Sequence, residues 1–198
     1  MNPLKSISGT IITGILLSGL VMLIYQDGST APIEWTVWFH VVVGITWIGL
    51  LYYFNFVQVP AVALALSEAD SGGPGAGAIN KYVAPRALLW FRWAAVLTWL
   101  SGAAALGKMG ILLDAFLLKD GTEVIGVGAW LGTIMLFNVW VLIWPNQKKI
   151  LGLDGKEHSA DEIAKSKTVA LMASRTNTAL SIPMLLSMTA YGHGGFPF

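Results

Sequence analysis

One helical face of residues 35–58 carries the side chains that could do chemistry. The stretch, WTVWFHVVVGITWIGLLYYFNFVQ, has no charged side chain, and as a helix it would be about 36 Å long, enough to cross a hydrocarbon core of about 30 Å. Residues three or four positions apart share one face of a helix. That face combines a histidine, a glycine, a tryptophan and two amides: His40, Gly44, Trp47, Leu51, Asn55 and Gln58. Such a stripe is costly in lipid, so we expect it to face protein or a cofactor.

His40 is the first candidate metal ligand. Histidine is a common axial ligand of haem, and Gly44, one turn further on, would let a flat ring approach the helix backbone. We therefore predict a haem held by His40, with Gly44, Trp47 and Trp35 as walls of its site. The alternative is a histidine that is hydrogen-bonded inside the helical bundle or lies at the membrane interface.

The composition predicts an integral membrane protein. The chain has 198 residues, of which 12% are charged, against about 25% in soluble domains, and its mean hydropathy is +0.66. It is too short for two large domains, so we expect one all-α transmembrane bundle over residues 1–198. The net charge of +1 gives no argument for a nucleic-acid partner. The absence of cysteine excludes disulfides, iron–sulfur clusters and covalent c-type haem.

Five apolar stretches predict transmembrane helices, at about 8–25, 35–58, 85–106, 124–144 and 168–191. The first resembles a signal peptide, but no convincing small-x-small cleavage site follows it, so we expect an uncleaved span. The glycine-rich residues 67–80 predict a flexible loop. Pro145 is expected to end the fourth span, and Pro183 to kink the fifth.

Shorter patterns add local expectations. Gly128 and Gly132 have the spacing of close helix packing, and residues 111–118 predict a short interfacial helix. Ser159 and Glu162 form a capping-box pattern at the start of a helix. His158 lies among charged residues and is expected to be a solvated loop histidine.

The distribution of Lys and Arg predicts the topology. The loops after the second and fourth spans are basic, which places them and the N-terminus in the cytoplasm and the C-terminus in the periplasm of a bacterial inner membrane. His40 and His193 then lie near the same membrane face, an arrangement that a bis-histidine haem b requires. Because His193 follows the expected helix end, Met184 or Met188 could replace it, or His40 could be the single ligand.

A second cluster is predicted near the cytoplasmic face. Arginines and amides suit an anionic or carbonyl-rich planar ligand, such as urate, a quinone or a lipid headgroup. We expect Arg92 and Arg175 to be the deepest cations. The other residues of the predicted substrate site are Asn55, Asn138 and Asn177, with Gln58 and Arg86 nearby. The alternative is that these groups make helix-to-helix hydrogen bonds and contact lipid phosphates.

Four stretches in order resemble the urate oxidase N-terminal membrane family. They are HVVVGITWIGLLYYFN (40–55), FRWAAVLTWLSG (91–102), FNVWVLIWPNQ (137–147) and RTNTALSIPMLLSMTAYGH (175–193). The family supplies the helical domain of bacterial membrane urate hydroxylases, usually followed by a cytochrome c domain. Lacking cysteine and short for that domain, this chain would be a stand-alone member without a cytochrome c domain.

The resemblance implies a redox membrane protein that passes electrons to a separate cytochrome c. Whether it is an enzyme stays open: an oxidoreductase would take electrons from urate, as the resemblance implies, or from quinol, as the arginine and amide cluster suggests. The alternative is a cofactor-free accessory subunit of a larger respiratory or photosynthetic complex. Either a homo-oligomer or a hetero-oligomer in the lipid bilayer is compatible with the sequence.

Overall fold

A computed structural model describes residues 2–25 and 32–195, and every regular element in these ranges is helical. The all-α prediction is therefore confirmed. The chain divides into two compact units, Met1–Pro32 and Ile33–Phe198. In the first, a short 3₁₀ turn, Pro3–Lys5, precedes helix α1, Ile7–Tyr25. No side chain of α1 is buried within its unit, as expected for a helix that faces lipid.

The second unit is built from helices that are in part interrupted by π-helical turns. In chain order they are α2 (Pro32–Tyr53), π1 (Phe54–Gln58), α3 (Val59–Ser67), π2 (Ile79–Val83), α4 (Ala84–Lys108), α5 (Leu112–Phe116), α6 (Glu123–Phe137), π3 (Asn138–Ile143), α7 (Trp144–Ile150) and α8 (Ala160–Gly192). A short helix, α5, is present within the predicted segment 111–118, its interfacial position staying a prediction, and the capping box is present at the start of α8. Within 67–80, a 3₁₀ turn at Ala69–Ser71 and the start of π2 replace part of the expected loop.

Each π-helical turn ends just before a helix with proline in its first turn. Pro60, Pro85 and Pro145 are the second residues of α3, α4 and α7. Proline has no N–H, and its ring clashes with the carbonyl four residues earlier, which in all three cases lies inside the π-helical turn. The wider turn accommodates the ring without ending the helix. The expectation that Pro145 ends the fourth helix is therefore wrong, because the helix continues to Ile150.

Among the described residues, four helical stretches are long and apolar enough to cross a membrane, so the chain is a multi-pass membrane protein. They are Ile7–Tyr25, Pro32–Ser67, Ile79–Lys108 and Glu123–Ile150. The predicted fifth span lies in α8, which has 33 residues but is not among them. Polar residues lower its hydropathy, among them four on its buried face: Ser166, Asn177, Ser181 and Ser187. Since α8 packs along α6, π3 and α7, a bilayer crossed by Glu123–Ile150 would also be crossed by α8.

The core of the second unit lies where α2, α4, α6 and α8 meet. Its most deeply buried large residues include Trp47, Phe91, Met135 and Val139. A smaller cluster of Leu106, Ala115 and Ile125 joins the end of α4 to α5 and α6, and Tyr191 of α8 packs against it. Between helices in a membrane, such packing stabilises through van der Waals contact rather than through the hydrophobic effect.

Glycine allows the closest of these helix contacts. A Cβ on Gly128 would lie 3.1 Å from Met188 Cε and 3.2 Å from Ser187 Cβ, so α6 and α8 approach closely there. A Cβ on Gly126 would collide with the carbonyl oxygen of Ala115 in α5. The packing predicted for Gly128 is confirmed, whereas a Cβ on Gly132 would meet no atom within 4 Å.

Candidate functional site

His40 lies at the end of the bundle where α2 begins and α4 ends. Its Nδ1 is 2.9 Å from the carbonyl oxygen of Thr98 and 3.3 Å from Ser101 Oγ. Its ring lies against Gly102, since a Cβ built there would be 2.9 Å from His40 Cε1. Lys108 Nζ also donates to Thr36 Oγ1 at 2.6 Å, which ties the same two helix ends together.

These contacts define how the imidazole is held. A carbonyl oxygen only accepts hydrogen bonds, so Nδ1 carries the proton and donates it to Thr98. In the neutral ring this leaves Nε2 as the nitrogen with a lone pair. Within the described residues, no protein group is hydrogen-bonded to Nε2. A histidine fixed through Nδ1–H by a backbone carbonyl is the form that ligates metals through Nε2.

The predicted walls around His40 have other contacts in the bundle. A Cβ on Gly44 would lie 3.7 Å from Thr98 Cγ2, so this glycine brings α2 close to α4. Trp47 is 2% exposed and lies in the main core. Trp35 packs edge-on against Trp38, with ring centroids 5.6 Å apart. The wall roles of these residues therefore stay predictions.

His193 lies just beyond the end of α8. It is exposed, and its Nδ1 donates to the Thr189 carbonyl at 2.7 Å. Because Tyr191 packs on the cluster that contains Leu106, both histidines lie toward the same end of the bundle, near the end of α4. Of the alternative ligands, Met184 is buried in the main core and Met188 packs on Gly128.

A haem fits the His40 site in one respect, the free Nε2 of a fixed ring. Among the described residues there is no cluster of three or more histidines or carboxylates that could hold a metal ion. Haem does not need one, because its porphyrin supplies four ligands and the protein one or two. The donor set thus suits a haem bound through His40, with His193 as the histidine nearest in position along the bundle.

The predicted amide cluster is only partly one site. Asn138 Nδ2 donates to Asn177 Oδ1 at 2.8 Å, and Asn177 Nδ2 donates to the Met135 carbonyl at 2.9 Å. Both side chains are buried, and Asn177 is fully so. These two side chains therefore join π3 to α8. Helix-to-helix hydrogen bonding was the alternative to a substrate-binding role in the sequence analysis. Asn55 binds Ser174 Oγ at 2.8 Å and its own helix carbonyl at Leu51.

The arginines differ from one another in exposure. Arg92 is half-buried, and its guanidinium lies over the Trp144 ring at 3.8 Å from the centroid, a cation–π contact. Arg175 is exposed, so its side chain does not join the buried Asn177, and its depth in the membrane stays a prediction. Residue 175 falls on the outer face of α8, two positions before the buried Asn177. Arg86 is also exposed, near the start of α4.

Further polar atoms lie in the bundle interior, several of them on the α2 stripe that the sequence predicted to face protein. Tyr52 Oη is 2.9 Å from Ser181 Oγ, which links α2 to α8. Within the part of the chain that the structure describes, Trp47 Nε1, Asn55 Oδ1 and Gln58 Oε1 are buried without a hydrogen-bond partner. These three residues follow one another along α2 and π1. Buried polar atoms usually have partners, so these three atoms keep an unused capacity for hydrogen bonds.

His158 is predicted to be a solvated loop residue, but its side chain is mostly shielded from solvent. Its Nε2 lies 2.8 Å from Asp154 Oδ2, its Nδ1 lies 3.6 Å from Glu162 Oε2, and its side chain is 11% exposed. The hydrogen bond from His158 lowers the pKa of Asp154. The backbone N–H of Ser159 lowers the pKa of Glu162. This loop therefore forms a small ionic cluster at the start of α8.

Two open grooves lie on the surface of the second unit. The larger, about 680 Å³, runs between α2 and the π2–α4 segment. Its walls include Gly49, Tyr53, Tyr82, Arg86 and Trp90. The smaller, about 370 Å³, lies between α4 and the α6–π3 segment and is lined mainly by apolar residues. The sequence singled out Arg86 only as a member of the amide and arginine cluster.

The fold and the site together define a multi-pass helical membrane protein with one fixed, interhelical histidine. Residues 112–196 match the family model for the urate oxidase N-terminal family. The match confirms the resemblance over α5 to α8, including residues 137–147 and 175–193. The stretches 40–55 and 91–102, with His40 and its partners, lie outside the matched residues. No curated protein and no solved structure matched the chain.

Proposed function

We propose that this protein is a membrane redox protein of the urate hydroxylase membrane-domain type, in which His40 ligates a haem b. The observation that carries the proposal is the orientation of His40, with Nδ1–H on the Thr98 carbonyl and Nε2 left free. The family match over residues 112–196 supports the protein class. A bound haem would accept and release single electrons.

The residues of this chain would supply position and environment to that group. The Thr98 carbonyl holds the ring in one tautomer and increases the basicity of Nε2, because it accepts the Nδ1 proton. Ser101, which donates to the Leu97 carbonyl at 2.6 Å, packs beside the same ring nitrogen. Gly102 lets the ring lie against the α4 backbone. By the predicted topology this end faces the periplasm, where a separate cytochrome c would accept electrons from an oxidoreductase that uses urate or quinol.

The test is a reduced-minus-oxidised visible spectrum of protein produced with a sufficient haem supply. A b-type spectrum is expected in the wild type and in His158→Ala, the matched control at the opposite end of the bundle. It is expected to be absent in His40→Ala. Loss of the spectrum in His193→Ala as well would support bis-histidine ligation, and its retention a single histidine or a mixed ligand pair. A colourless, folded wild type would refute the proposal.

A second candidate is a cofactor-free accessory subunit of a larger respiratory or photosynthetic membrane complex. It is favoured by the close contact of the His40 ring with Gly102 and by the engagement of Asn138 and Asn177 in helix-to-helix hydrogen bonds. In that case His40 would serve to join α2 to α4. Native purification from the source membrane would then recover the chain with other subunits and without haem absorbance.

A further inference from the structure

The groove between α2 and the π2–α4 segment combines apolar walls with two cations, Lys81 beside the wall residue Tyr82 and Arg86 at the middle of the same wall. We propose that it binds an anionic phospholipid, with the phosphate at Arg86 and an acyl chain along Ala87 and Trp90. Its lining residues fall within nine positions on each wall, 45–53 and 82–90. At 1.5 Å per residue each wall is about 12 Å long, long enough for a glycerol backbone and the upper part of an acyl chain.

The charges favour an anionic occupant. Arg86 is exposed at the groove, and among the described residues no ion pair involves it. Lys81 Nζ lies 5.3 Å from the ring centroid of Tyr82, a wall residue, so a second cation stands beside the same wall. The lining contains no acidic side chain, and Thr46, Tyr53 and Tyr82 add hydroxyl groups. Arginine binds phosphate oxygens in a planar, two-pronged geometry.

The exposure favours a lipid over a water-soluble ligand. Ile45 and Trp90 on the walls are 68% and 56% exposed, and both lie within helices that are apolar enough to cross a membrane. A groove with such walls opens toward the acyl chains of the bilayer. Its basic end lies near the start of α4, at the opposite end of that helix from Gly102 and His40, where an interfacial phosphate would be found.

Gly49 allows this prediction to be tested without damage to the core. A Cβ built on Gly49 meets no atom within 4 Å, although the residue lines the groove. A leucine there would occupy the groove rather than the protein interior. Gly107 in α4 is also helical and exposed, and a Cβ there also meets no atom, so Gly107→Leu is a matched control. Arg175→Gln is the matched control for Arg86→Gln, since Arg175 is an exposed arginine on another helix.

The experiment titrates the detergent-purified protein with phosphatidylglycerol or phosphatidylcholine and follows bound lipid by native mass spectrometry. The wild type should prefer phosphatidylglycerol, and Arg86→Gln should weaken its binding roughly fivefold, as expected for one charge at a lipid surface. Gly49→Leu should lose the bound lipid, whereas Arg175→Gln and Gly107→Leu should retain it. Helix content from circular dichroism checks that each variant is folded.

Three results would overturn the proposal. The first is an equal loss of binding in Arg86→Gln and Arg175→Gln, which would mean general attraction of anionic lipid to the basic surface. The second is full retention of phosphatidylglycerol by folded Gly49→Leu. The third is the retention of a neutral quinone in this groove in place of phosphatidylglycerol, detected by its mass in the same spectra.

Discussion

The His40 end and the asparagine pair use polar side chains in two different ways. Asn138 and Asn177 bind each other and the Met135 carbonyl, so their polarity is directed at a neighbouring helix. His40 also binds a neighbouring helix, but through only one of its two ring nitrogens. A polar residue in a membrane bundle therefore suggests a ligand site only when one of its atoms remains available after the helix contacts are made.

The largest effect on stability is expected from Asn177→Leu. The substitution removes the acceptor of Asn138 Nδ2, which leaves that buried amide unpaired, and one of the two donors to the Met135 carbonyl, which keeps the backbone N–H of Asn138. We expect the free energy of unfolding to fall by about 2–3 kcal/mol. Unfolding in detergent, followed by circular dichroism against increasing sodium dodecyl sulfate, measures it. Thr176→Leu, at the adjacent exposed position, is the control. An equal loss of unfolding free energy in this variant would show that the Asn138–Asn177 hydrogen bond does not cause the effect.

Gly102→Ala tests the contact between the His40 ring and α4. Its Cβ would lie 2.9 Å from His40 Cε1, so the ring must move away from α4. We expect a cost of about 1–2 kcal/mol in stability, together with a shifted or weakened haem spectrum if His40 is the ligand. Gly107→Ala places the same methyl group one to two turns further along α4, where it meets no atom. This variant should leave both the stability and the haem spectrum unchanged. An unaltered spectrum and stability in Gly102→Ala would contradict the described His40 contact.

Arg92→Gln tests a third use of a polar side chain, the stacking of a cation on a tryptophan ring. The guanidinium over Trp144 should stabilise by about 1 kcal/mol through cation–π attraction, so its loss lowers the unfolding midpoint modestly. Arg86→Gln is the control, because no aromatic stacking of Arg86 is seen in the described part of the chain. A double-mutant cycle with Trp144→Leu isolates the interaction. If the two single effects add without coupling, Arg92 acts in some other way.

The smallest effect concerns pH and the ionic cluster before α8. His158 lowers the folded-state pKa of Asp154, and an unfolded aspartate has a pKa of about 3.9. The carboxylate therefore stabilises the fold above about pH 4 and loses that contribution as the pH falls through its lower folded-state value. Melting temperatures of the wild type and His158→Ala should differ at pH 6 and converge at strongly acidic pH. A constant difference at every pH would exclude this cause.

The sequence predicted the elements better than their contacts. Long uncharged runs directly predict spans, and four of the five have the required length and composition in the structure. The stripe on α2 also correctly pointed His40 and Trp47 inward. The fifth span is harder to recognise because its buried face is lined by Ser, Ala and Asn. Such a face has meaning only when the neighbouring helices are known.

The pairing of side chains could not be predicted in the same way. Asn138 and Asn177 were expected at one depth, but whether they bind a ligand or each other depends on the register of α6 and π3 against α8. The outward position of Arg175 depends on the rotation of α8 about its own axis, which one sequence does not fix. Thr98, Ser101 and Gly102 lie within the stretch 91–102 that resembles the family, yet only the fold places them beside His40.

The π-helical turns have a consequence for insertions and deletions. Each such turn holds one residue more than a regular helix would, and one residue corresponds to about 100° of rotation around the helix axis. Deleting a residue within Phe54–Gln58 would therefore leave a continuous helix. In a regular helix such a deletion would turn all later residues by about 100°, but here the wider turn has absorbed the extra residue, so α3 would keep approximately its direction relative to α2. An alignment gap at this position therefore joins two continuous helices whose later residues face the same neighbours.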